Sequence, residues 1–142
     1  MGPRGLNKFL KNQTIDGMQE INLQELSGKK IVVDTSIYMY RYNTNNELIE
    51  NFYAMLCIFK KYNIIPLFIF DGKPPPEKFE ALNKRRDERK EAENIYNLLA
   101  ITPNANASSL KYYKRKKTTI NNKNLLEVKE LFDYYGVMYI DA

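Results

Sequence analysis

Two aspartates, Asp34 and Asp71, each end a short apolar run of the sequence. Asp34 ends "KKIVVD" and Asp71 ends "IIPLFIFD", and both runs are predicted to be buried β-strands. A carboxylate at the end of a buried strand is costly unless it has a binding role. If the two strands are parallel neighbours, both carboxylates lie at the same edge of the sheet, where their mutual repulsion favours a shared cation.

Oxygen ligands of this kind suit Mg²⁺ or Mn²⁺, and the chain contains no histidine. The lack of histidine excludes Ser-His-Asp triads, histidine acid–base catalysis and the usual zinc sites. Metal-assisted attack of water on a phosphodiester is therefore the chemistry that best matches these residues. The alternative is structural, with both aspartates only capping the loop or helix that follows each strand.

Lysine and arginine are concentrated in two segments, "NKRRDERK" and "KYYKRKK", within a chain of net charge +5. Basic patches of this kind favour a polyanionic partner, above all nucleic acid. Tyr112 and Tyr113 lie between cations of the second segment, a pattern suited to stacking on single-stranded bases. The alternative is that both segments are solvated helical faces, held by pairs such as Lys84–Glu88.

The elements that must position these residues follow from the hydrophobic periodicity. Apolar residues three and four apart predict helices over "GLNKFL", "ELIENFYAMLCIFKKY" and "NLLEVKELFDYYG", and Gly136 ends the last of these. Residues 77–100 predict a long helix, and Ser108 or Ser109 is the expected N-cap of a short basic helix. "VMYID" predicts a third strand. The order β–α–β–α–α–β indicates an α/β fold in which helices flank a mostly parallel sheet, with strands buried on both faces.

The composition is that of an ordinary globular domain, with 142 residues, 44% of them hydrophobic and 27% charged. No apolar run approaches the roughly 20 residues of a transmembrane helix, and the N-terminus lacks a signal peptide's apolar region. We therefore expect a soluble intracellular protein with no membrane partner. Cys57 is the single cysteine and is expected to be a small buried hydrophobe.

The same segments resemble the flap endonuclease and XPG-type family of structure-specific 5′ nucleases, in its N-terminal nuclease region. "MGPRGLNKFL" is similar to the family's opening segment, and "IVVDTSIYMY" to the strand that ends in the first metal-site aspartate. "FIFDGKPPPEKFEALNKRRDER" is similar to the second aspartate motif and its basic helix. "LLEVKELFDYYGVMYIDA" resembles the helix and strand that lead to the internal nuclease region. The resemblance implies a PIN-like 5′ nuclease fold, of which this chain is the N-terminal portion.

The resemblance further implies a metal-dependent 5′-flap endonuclease or 5′–3′ exonuclease that acts on DNA in replication and repair. Asp34 and Asp71 match metal-site acids for Mg²⁺ or Mn²⁺, in a two-metal site completed by acids outside the chain. Lys78 and Arg85 match the basic pair that projects toward the scissile phosphate, while Lys73 and the prolines stiffen the exit from the strand. The expected DNA contacts are Gly2, Tyr40, Lys84, Arg86, Arg89, Lys114, Arg115, Lys116 and Lys117, with Tyr40 as a platform for a stacked base.

Residues 1–142 are thus expected to form an N-terminal XPG-type nuclease region, with 77–120 as basic gateway or cap helices. The internal nuclease region and the helix–hairpin–helix part are absent. Expected partners are DNA with a 5′ flap or a single-stranded 5′ end and, through an absent C-terminal region, a sliding clamp. No small-molecule cofactor is expected. A eukaryotic source implies a nuclear location.

The sequence departs from the family in two places. Asp34 and Asp71 are 71 − 34 = 37 positions apart, which is short, and the missing part falls around "RYNTNNEL", where the family carries a segment that wedges into the DNA junction. The chain also stops at Ala142, before the remaining metal-site acids, so it is expected not to cleave DNA efficiently alone. Two alternatives stay open: a non-catalytic module that binds branched or single-stranded DNA, and one half of a split nuclease.

Overall fold

A computed structural model of the chain describes residues 5–14 and 19–142, which contain a three-stranded parallel sheet in the order β1-β2-β3. The strands are β1 (Lys30–Asp34), β2 (Ile65–Phe70) and β3 (Met138–Asp141). The helices are α1 (Leu6–Gln13), α2 (Thr35–Asn43), α3 (Leu48–Lys61), α4 (Phe79–Ile101), α5 (Ala107–Lys117) and α6 (Asn122–Tyr135), with 3₁₀ turns at Leu23–Leu26 and Pro76–Lys78. The predicted α/β class, with parallel strands and flanking helices, is confirmed.

The predicted order β–α–β–α–α–β is wrong in the number of helices. Two helices connect β1 to β2, and three connect β2 to β3. The unpredicted helix α2 begins at Thr35, directly after Asp34. Its apolar residues are not confined to one side, because Tyr38, Met39 and Tyr42 face the core whereas Ile37 and Tyr40 are exposed. Periodicity alone therefore gives no helical signal in this segment.

The hydrophobic core lies on one face of the sheet, against α3 and α6. Phe68 and Phe70 of β2 are buried there with Phe52 of α3 and Phe132 of α6. The rings of Phe68 and Phe132 stack with centroids 4.2 Å apart, and Phe52 meets Phe132 edge-on at 5.6 Å. Each such pair contributes about 0.5–1.5 kcal/mol beyond the burial of its surface. This aromatic cluster fixes the central strand, and with it the strand ends that carry the acidic residues.

The prediction that the strands are buried on both faces is wrong. Val32 is 66% exposed, Met138 53% and Ile140 48%. Val32, Leu67 and Met138 are register partners across the three strands, so they share the face opposite the core. The helices that contact the sheet within the described ranges, α2, α3 and α6, all contribute to the single core. The other face is therefore apolar but open.

Two local predictions are also wrong. Cys57 is exposed rather than buried, because it lies one turn after the exposed Tyr53 on the outer side of α3. The N-cap of α5 is Asn106, not Ser108 or Ser109, since the Asn106 Oδ1 accepts hydrogen bonds from the Ser108 backbone N–H at 2.9 Å and hydroxyl at 2.7 Å. By contrast, Gly136 ends α6 as predicted, in the left-handed conformation that glycine adopts without strain.

The long helix α4 and the basic helix α5 pack against each other as a helical hairpin. The hairpin leaves the sheet after β2 and returns through residues 118–121 to α6. None of the helices in the described residues is both long enough and apolar enough to cross a bilayer.

Candidate metal and nucleic-acid site

The strands that end at Asp34 and Asp71 are parallel neighbours, as predicted. Asp34 is the register partner of Ile69, and Asp71 follows two residues later. Strand spacing and rise put their Cα atoms roughly 8 Å apart. The alternation of side chains assigns Asp34 to the face of Val32, and Asp71 to that of Leu67 and Ile69, which is the open face. Both carboxylates therefore belong to the carboxyl edge of the sheet.

The two aspartates differ in their local contacts. The Asp34 Oδ1 accepts a long hydrogen bond of 3.4 Å from the Ile37 backbone N–H and caps α2. The capping role considered as the alternative to metal binding is thus present at Asp34. The carboxylate nevertheless retains further acceptor sites for a second partner. Both side chains belong to exposed residues, and within the described residues neither forms an ion pair with a lysine or arginine.

The donor set fits a hydrated divalent cation. Two unneutralised carboxylates offer oxygen ligands, and Mg²⁺ is usually held by one or two carboxylates with several waters. Over residues 5–14 and 19–142, no group of three or more His, Cys, Asp or Glu side chains is close enough to hold a metal ion. Asp34 and Asp71 are therefore consistent with part of a metal site, and their role as ligands stays a prediction.

A third acid, Asp141, ends β3 at the same edge of the sheet. Strand alternation puts it with Tyr139 on the covered face, opposite to Asp34 and Asp71. The Lys129 Nζ contacts its two carboxylate oxygens at 2.7 and 2.8 Å. Partial burial of Tyr139 raises the pKa of its hydroxyl above the usual value. The hydrogen bond that this hydroxyl donates to the Asp133 Oδ2, at 3.3 Å, acts in the same direction. The contact of Lys129 with Asp141 was not predicted, because the two residues are 12 positions apart on a helix and a strand, and that spacing does not indicate contact.

Gly72, the residue after Asp71, lies where the backbone of Ala142 passes close by. The Ala142 N–H donates to the Phe70 carbonyl at 3.0 Å, extending the β2–β3 pairing. The Ala142 carbonyl then occupies the space that a Cβ at position 72 would need. Glycine is thus required there for a steric reason. Beyond it, Pro76 begins the 3₁₀ turn that leads into α4.

Lys78 and Arg85 are both exposed at the start of the long basic helix. Lys78 ends the 3₁₀ turn and precedes Phe79, the first residue of α4, while Arg85 lies two turns further on. A separation of seven residues puts them on one side of the helix. The alternative pair Lys84–Glu88 is not formed in the described residues. The cations of this helix are consequently available to a ligand.

Three of the predicted DNA contacts line one groove between α4 and α5. The groove has a volume of about 390 Å³ and is lined by Leu82, Asn83, Arg86, Arg89, Lys90, Glu93, Lys117 and Thr119. Four of these eight residues are cationic and one is anionic. The Lys117 Nζ also lies 4.2 Å from the ring centroid of Tyr96, a cation–π contact. Lys90 and Tyr96 are additions that the sequence analysis missed, because their proximity to Lys117 depends on the hairpin.

The remaining predicted contacts are distributed around this groove. Arg115 and Lys116 are exposed on α5, whereas the Lys114 Nζ is bound to the Asn45 Oδ1 at 3.2 Å. Tyr40 is 44% exposed on α2. Lys84 is exposed on α4. Gly2 lies outside the described residues.

The short connection between α2 and α3 contacts the basic end of α5. The Asn43 Nδ2 donates to the Thr119 carbonyl at 2.8 Å, and the Thr118 hydroxyl donates to the Thr44 Oγ1 at 3.3 Å. With the Lys114–Asn45 bond, three side-chain hydrogen bonds join these segments. The position where we expected the family's wedge segment is therefore occupied by a compact turn bound to the hairpin.

Comparisons with known proteins agree with this architecture. The profile of the XPG N-terminal domain matches residues 1–92. Flap endonuclease 1 of Meyerozyma guilliermondii is 28% identical over 159 residues, covering all of this chain and 42% of that protein. Flap endonuclease 1 of Salmo salar is 29% identical over 158 residues, covering all of this chain and 41% of that protein. The chain thus spans about two fifths of the length of these curated relatives.

Solved structures of similar fold include the catalytic core of Rad2 in complex with DNA substrate. One such complex superimposes with a TM-score of 0.69 at 22% identity, covering 99% of this chain and 40% of that one. Another gives a TM-score of 0.60 at 24% identity, covering 97% and 37%. At these identities the likeness shows the fold, and it confirms the predicted nuclease-type α/β architecture.

Proposed function

The chain belongs to the XPG N-terminal domain family, and on that premise we propose that the complete protein is a structure-specific 5′ nuclease that hydrolyses DNA with divalent metal ions. One observation supports this most directly: Asp34 and Asp71 end or follow neighbouring parallel strands and have no described ion-pair partner. Relatives matching the whole chain are named flap endonucleases, and the Rad2 core was solved with DNA substrate. These names favour DNA with a 5′ flap or a single-stranded 5′ end as the substrate.

In this proposal Asp34 and Asp71 hold Mg²⁺ or Mn²⁺ through their free carboxylate oxygens. A bound divalent cation supplies an activated water and neutralises charge on the phosphate. Two carboxylates are a small set for a two-metal site, and no third acid joins them in the described residues. The relatives are more than twice as long as this chain, so we propose that further acids come from an internal nuclease region beyond residue 142.

The basic residues divide into two proposed roles. Lys78 and Arg85 orient the scissile phosphate and stabilise the charge that develops on it, because Lys78 immediately precedes α4 and Arg85 lies within it, shortly after Asp71 in the chain. Arg86, Arg89 and Lys117, in the groove between α4 and α5, bind the phosphates of the single strand. Lys84, Arg115 and Lys116 add exposed positive charge, and residues 77–120 form the gateway over the site. Tyr40 and Tyr112 offer exposed rings on which bases stack.

The setting of this activity is DNA replication and repair, in the nucleus if the source is eukaryotic. A helix–hairpin–helix part that holds the duplex and a sliding clamp as partner belong to the same proposal, both through parts of the protein outside residues 1–142.

The decisive experiment uses the complete protein with a labelled 5′-flap DNA and Mg²⁺. Asp34→Asn and Asp71→Asn should each lower single-turnover cleavage by at least about a hundredfold, because each removes a metal ligand, while DNA affinity changes little. Glu130→Gln is the matched control, since it removes one negative charge from an exposed position on α6. Near-normal cleavage by either aspartate variant would refute the site, and absence of any metal-dependent cleavage by the unmodified protein would refute the function.

A further inference from the structure

Lys129 of α6 reaches the end of β3 and binds both carboxylate oxygens of Asp141. The N–O distances are 2.7 and 2.8 Å, and the lysine side chain is only 24% exposed. A two-oxygen contact at this distance and burial is held more firmly than an ordinary surface pair. The Lys123–Glu127 pair on the same helix provides the contrast, with an N–O distance of 3.6 Å and a lysine that is 82% exposed.

The ammonium group of Lys129 also lies over two aromatic rings of the sheet. It is 5.0 Å from the ring centroid of Phe70 at the end of β2 and 5.5 Å from that of Tyr139 in β3. Separations below about 6 Å give a cation–π attraction. Lys129 therefore joins α6 to the ends of two strands. Phe70, the residue it covers in β2, immediately precedes Asp71.

Gly72, on the other side of Asp71, is also held by the end of β3. Asp141 is the register partner of Phe70, and the next residue, Ala142, donates its N–H to the Phe70 carbonyl at 3.0 Å. The Ala142 carbonyl lies against Gly72 so closely that no side chain fits between them. Asp71 is consequently bracketed by two residues whose positions depend on the end of β3.

We propose that Lys129 and Asp141 form a clasp that positions Asp71 for metal binding, an inference that rests on the proposed role of Asp34 and Asp71 as cation ligands. Asp71 lies just beyond the last residue of β2, so its position follows from how Phe70 and Gly72 are held. Mg²⁺ requires ligand distances of about 2.0–2.1 Å in near-ideal geometry, so a small displacement of Asp71 lowers affinity. Lys129 and Asp141 are positioning residues, since neither touches the cation.

The clasp also keeps a third carboxylate out of the site. Asp141 is at the same edge of the sheet as Asp34 and Asp71 but is neutralised on the covered face by Lys129.

The test measures Mn²⁺ binding to the complete protein without DNA, by electron paramagnetic resonance of the free ion. Lys129→Met should raise the Mn²⁺ dissociation constant about tenfold, the scale seen when groups that orient metal ligands are removed. Lys129→Arg should return the constant to within about twofold of the unmodified protein, because the guanidinium can bind both Asp141 oxygens. Lys123→Met removes the exposed pair on the same helix and should leave the constant unchanged.

A second readout separates positioning from loss of folding. Single-turnover cleavage of flap DNA by Lys129→Met should require more Mn²⁺ for half-maximal rate but approach the normal rate at saturation. Asp141→Asn breaks the pair from its more exposed partner and should reproduce the weaker Mn²⁺ binding, so the test remains available if Lys129→Met does not fold.

Two results would overturn the clasp. One is an Mn²⁺ affinity of folded Lys129→Met equal to that of Lys123→Met. The other is tighter Mn²⁺ binding by Lys129→Met, which would mean that the released Asp141 adds a ligand to the site and that the pair does not position Asp71. Failure of the proposed function has a different signature, because Asp34→Asn would then bind Mn²⁺ as well as the unmodified protein.

Discussion

Asp34, Asp71 and Asp141 lie at or just beyond the ends of the three strands, but they differ in whether a lysine is bound to the carboxylate. Asp141 is paired with Lys129, whereas Asp34 and Asp71 have no described ion-pair partner. This difference arises because successive side chains of a strand point to opposite faces of the sheet. Asp141 points toward α6, and Asp34 and Asp71 point toward the open face. The chemical difference between identical side chains is thus set by the face of the sheet to which each belongs.

Gly72→Ala tests the close approach at the residue after Asp71. A Cβ at this position meets the backbone carbonyl of Ala142, which cannot rotate away as a side chain would. We expect the substitution to lower the free energy of unfolding by about 1–3 kcal/mol, as for other overpacked sites. Urea unfolding of the complete protein measures the change, with the adjacent exposed Lys73→Ala as control. An unchanged midpoint would mean that Ala142 does not pack against Gly72.

Lys78→Ala and Arg85→Ala test the assignment of two cations to the reacting phosphate. Each should lower the single-turnover cleavage rate by about 10²–10³-fold with little change in DNA affinity, since a contact made in the transition state affects the rate constant. The contrasting variant is Arg86→Ala in the groove, which should weaken binding and reduce the dependence of log K on log salt by about one unit. Equal losses of DNA affinity in all three variants, with unchanged cleavage rates, would contradict the assignment of separate roles to these cations.

At the scale of the elements, three side-chain hydrogen bonds join the region between α2 and α3 to the C-terminal end of the basic hairpin. The side chains of this region bind the Thr119 carbonyl, the Thr118 hydroxyl and the Lys114 amine. These contacts span 69 to 76 residues of sequence, so they close a long loop that contains α4 and α5. The turn thus provides a direct contact between the sheet domain and the hairpin.

The double variant Asn43→Ala/Asn45→Ala tests this contact. Without the two amides, the C-terminal end of α5 should exchange its backbone hydrogens faster and bind flap DNA several-fold more weakly, because Lys114 loses its bond to Asn45 and the Thr119 carbonyl loses its bond to Asn43. Mn²⁺ affinity should not change, since Asp34 and Asp71 are held by other elements. Asn97→Ala on the exposed side of α4 is the control. Unaltered exchange in α5 would show that the hairpin is held by its own packing alone.

At the scale of the molecule, an apolar face of the sheet is exposed among the residues that the structure describes, 5–14 and 19–142. Val32 on β1 and Met138 and Ile140 on β3 are about half exposed or more, and they lie on the two outer strands, on either side of β2. The outer backbone edges of β1 and β3 are also unpaired within the described part of the chain. An apolar face beside open edges favours association.

The isolated 1–142 polypeptide should therefore self-associate and should not cleave flap DNA efficiently in Mg²⁺ or Mn²⁺. Val32→Thr with Ile140→Thr should reduce the association, because both changes add polarity to the open face and keep a β-branched residue of high strand propensity. Sedimentation velocity measures the association, and Tyr134→Thr on the exposed side of α6 is the control. Robust cleavage that disappears in Asp34→Asn would mean that two carboxylates suffice.

The amino-acid sequence by itself determined the three strands, the apolar stripes of α3 and α6 and the two strand-end aspartates. Each of these depends on residues close together in the chain: β-branched runs, apolar spacing of three and four, and a glycine at a helix end. The parallel pairing of β1 with β2 also followed, because a helical connection between two strands imposes it. The neighbouring positions of Asp34 and Asp71 were predictable for the same reason.

Only the tertiary structure decided which faces and side chains meet. The open face of the sheet and the exposure of Cys57 depend on where α2, α3 and α6 pack, and apolar residues on both sides of a strand look alike in sequence. The contact of Lys129 with Asp141 and the groove between Arg86, Arg89 and Lys117 join elements whose distance is set by packing. The physical reason is that local periodicity specifies an element and its apolar side, whereas contacts between polar side chains depend on the relative placement of whole elements.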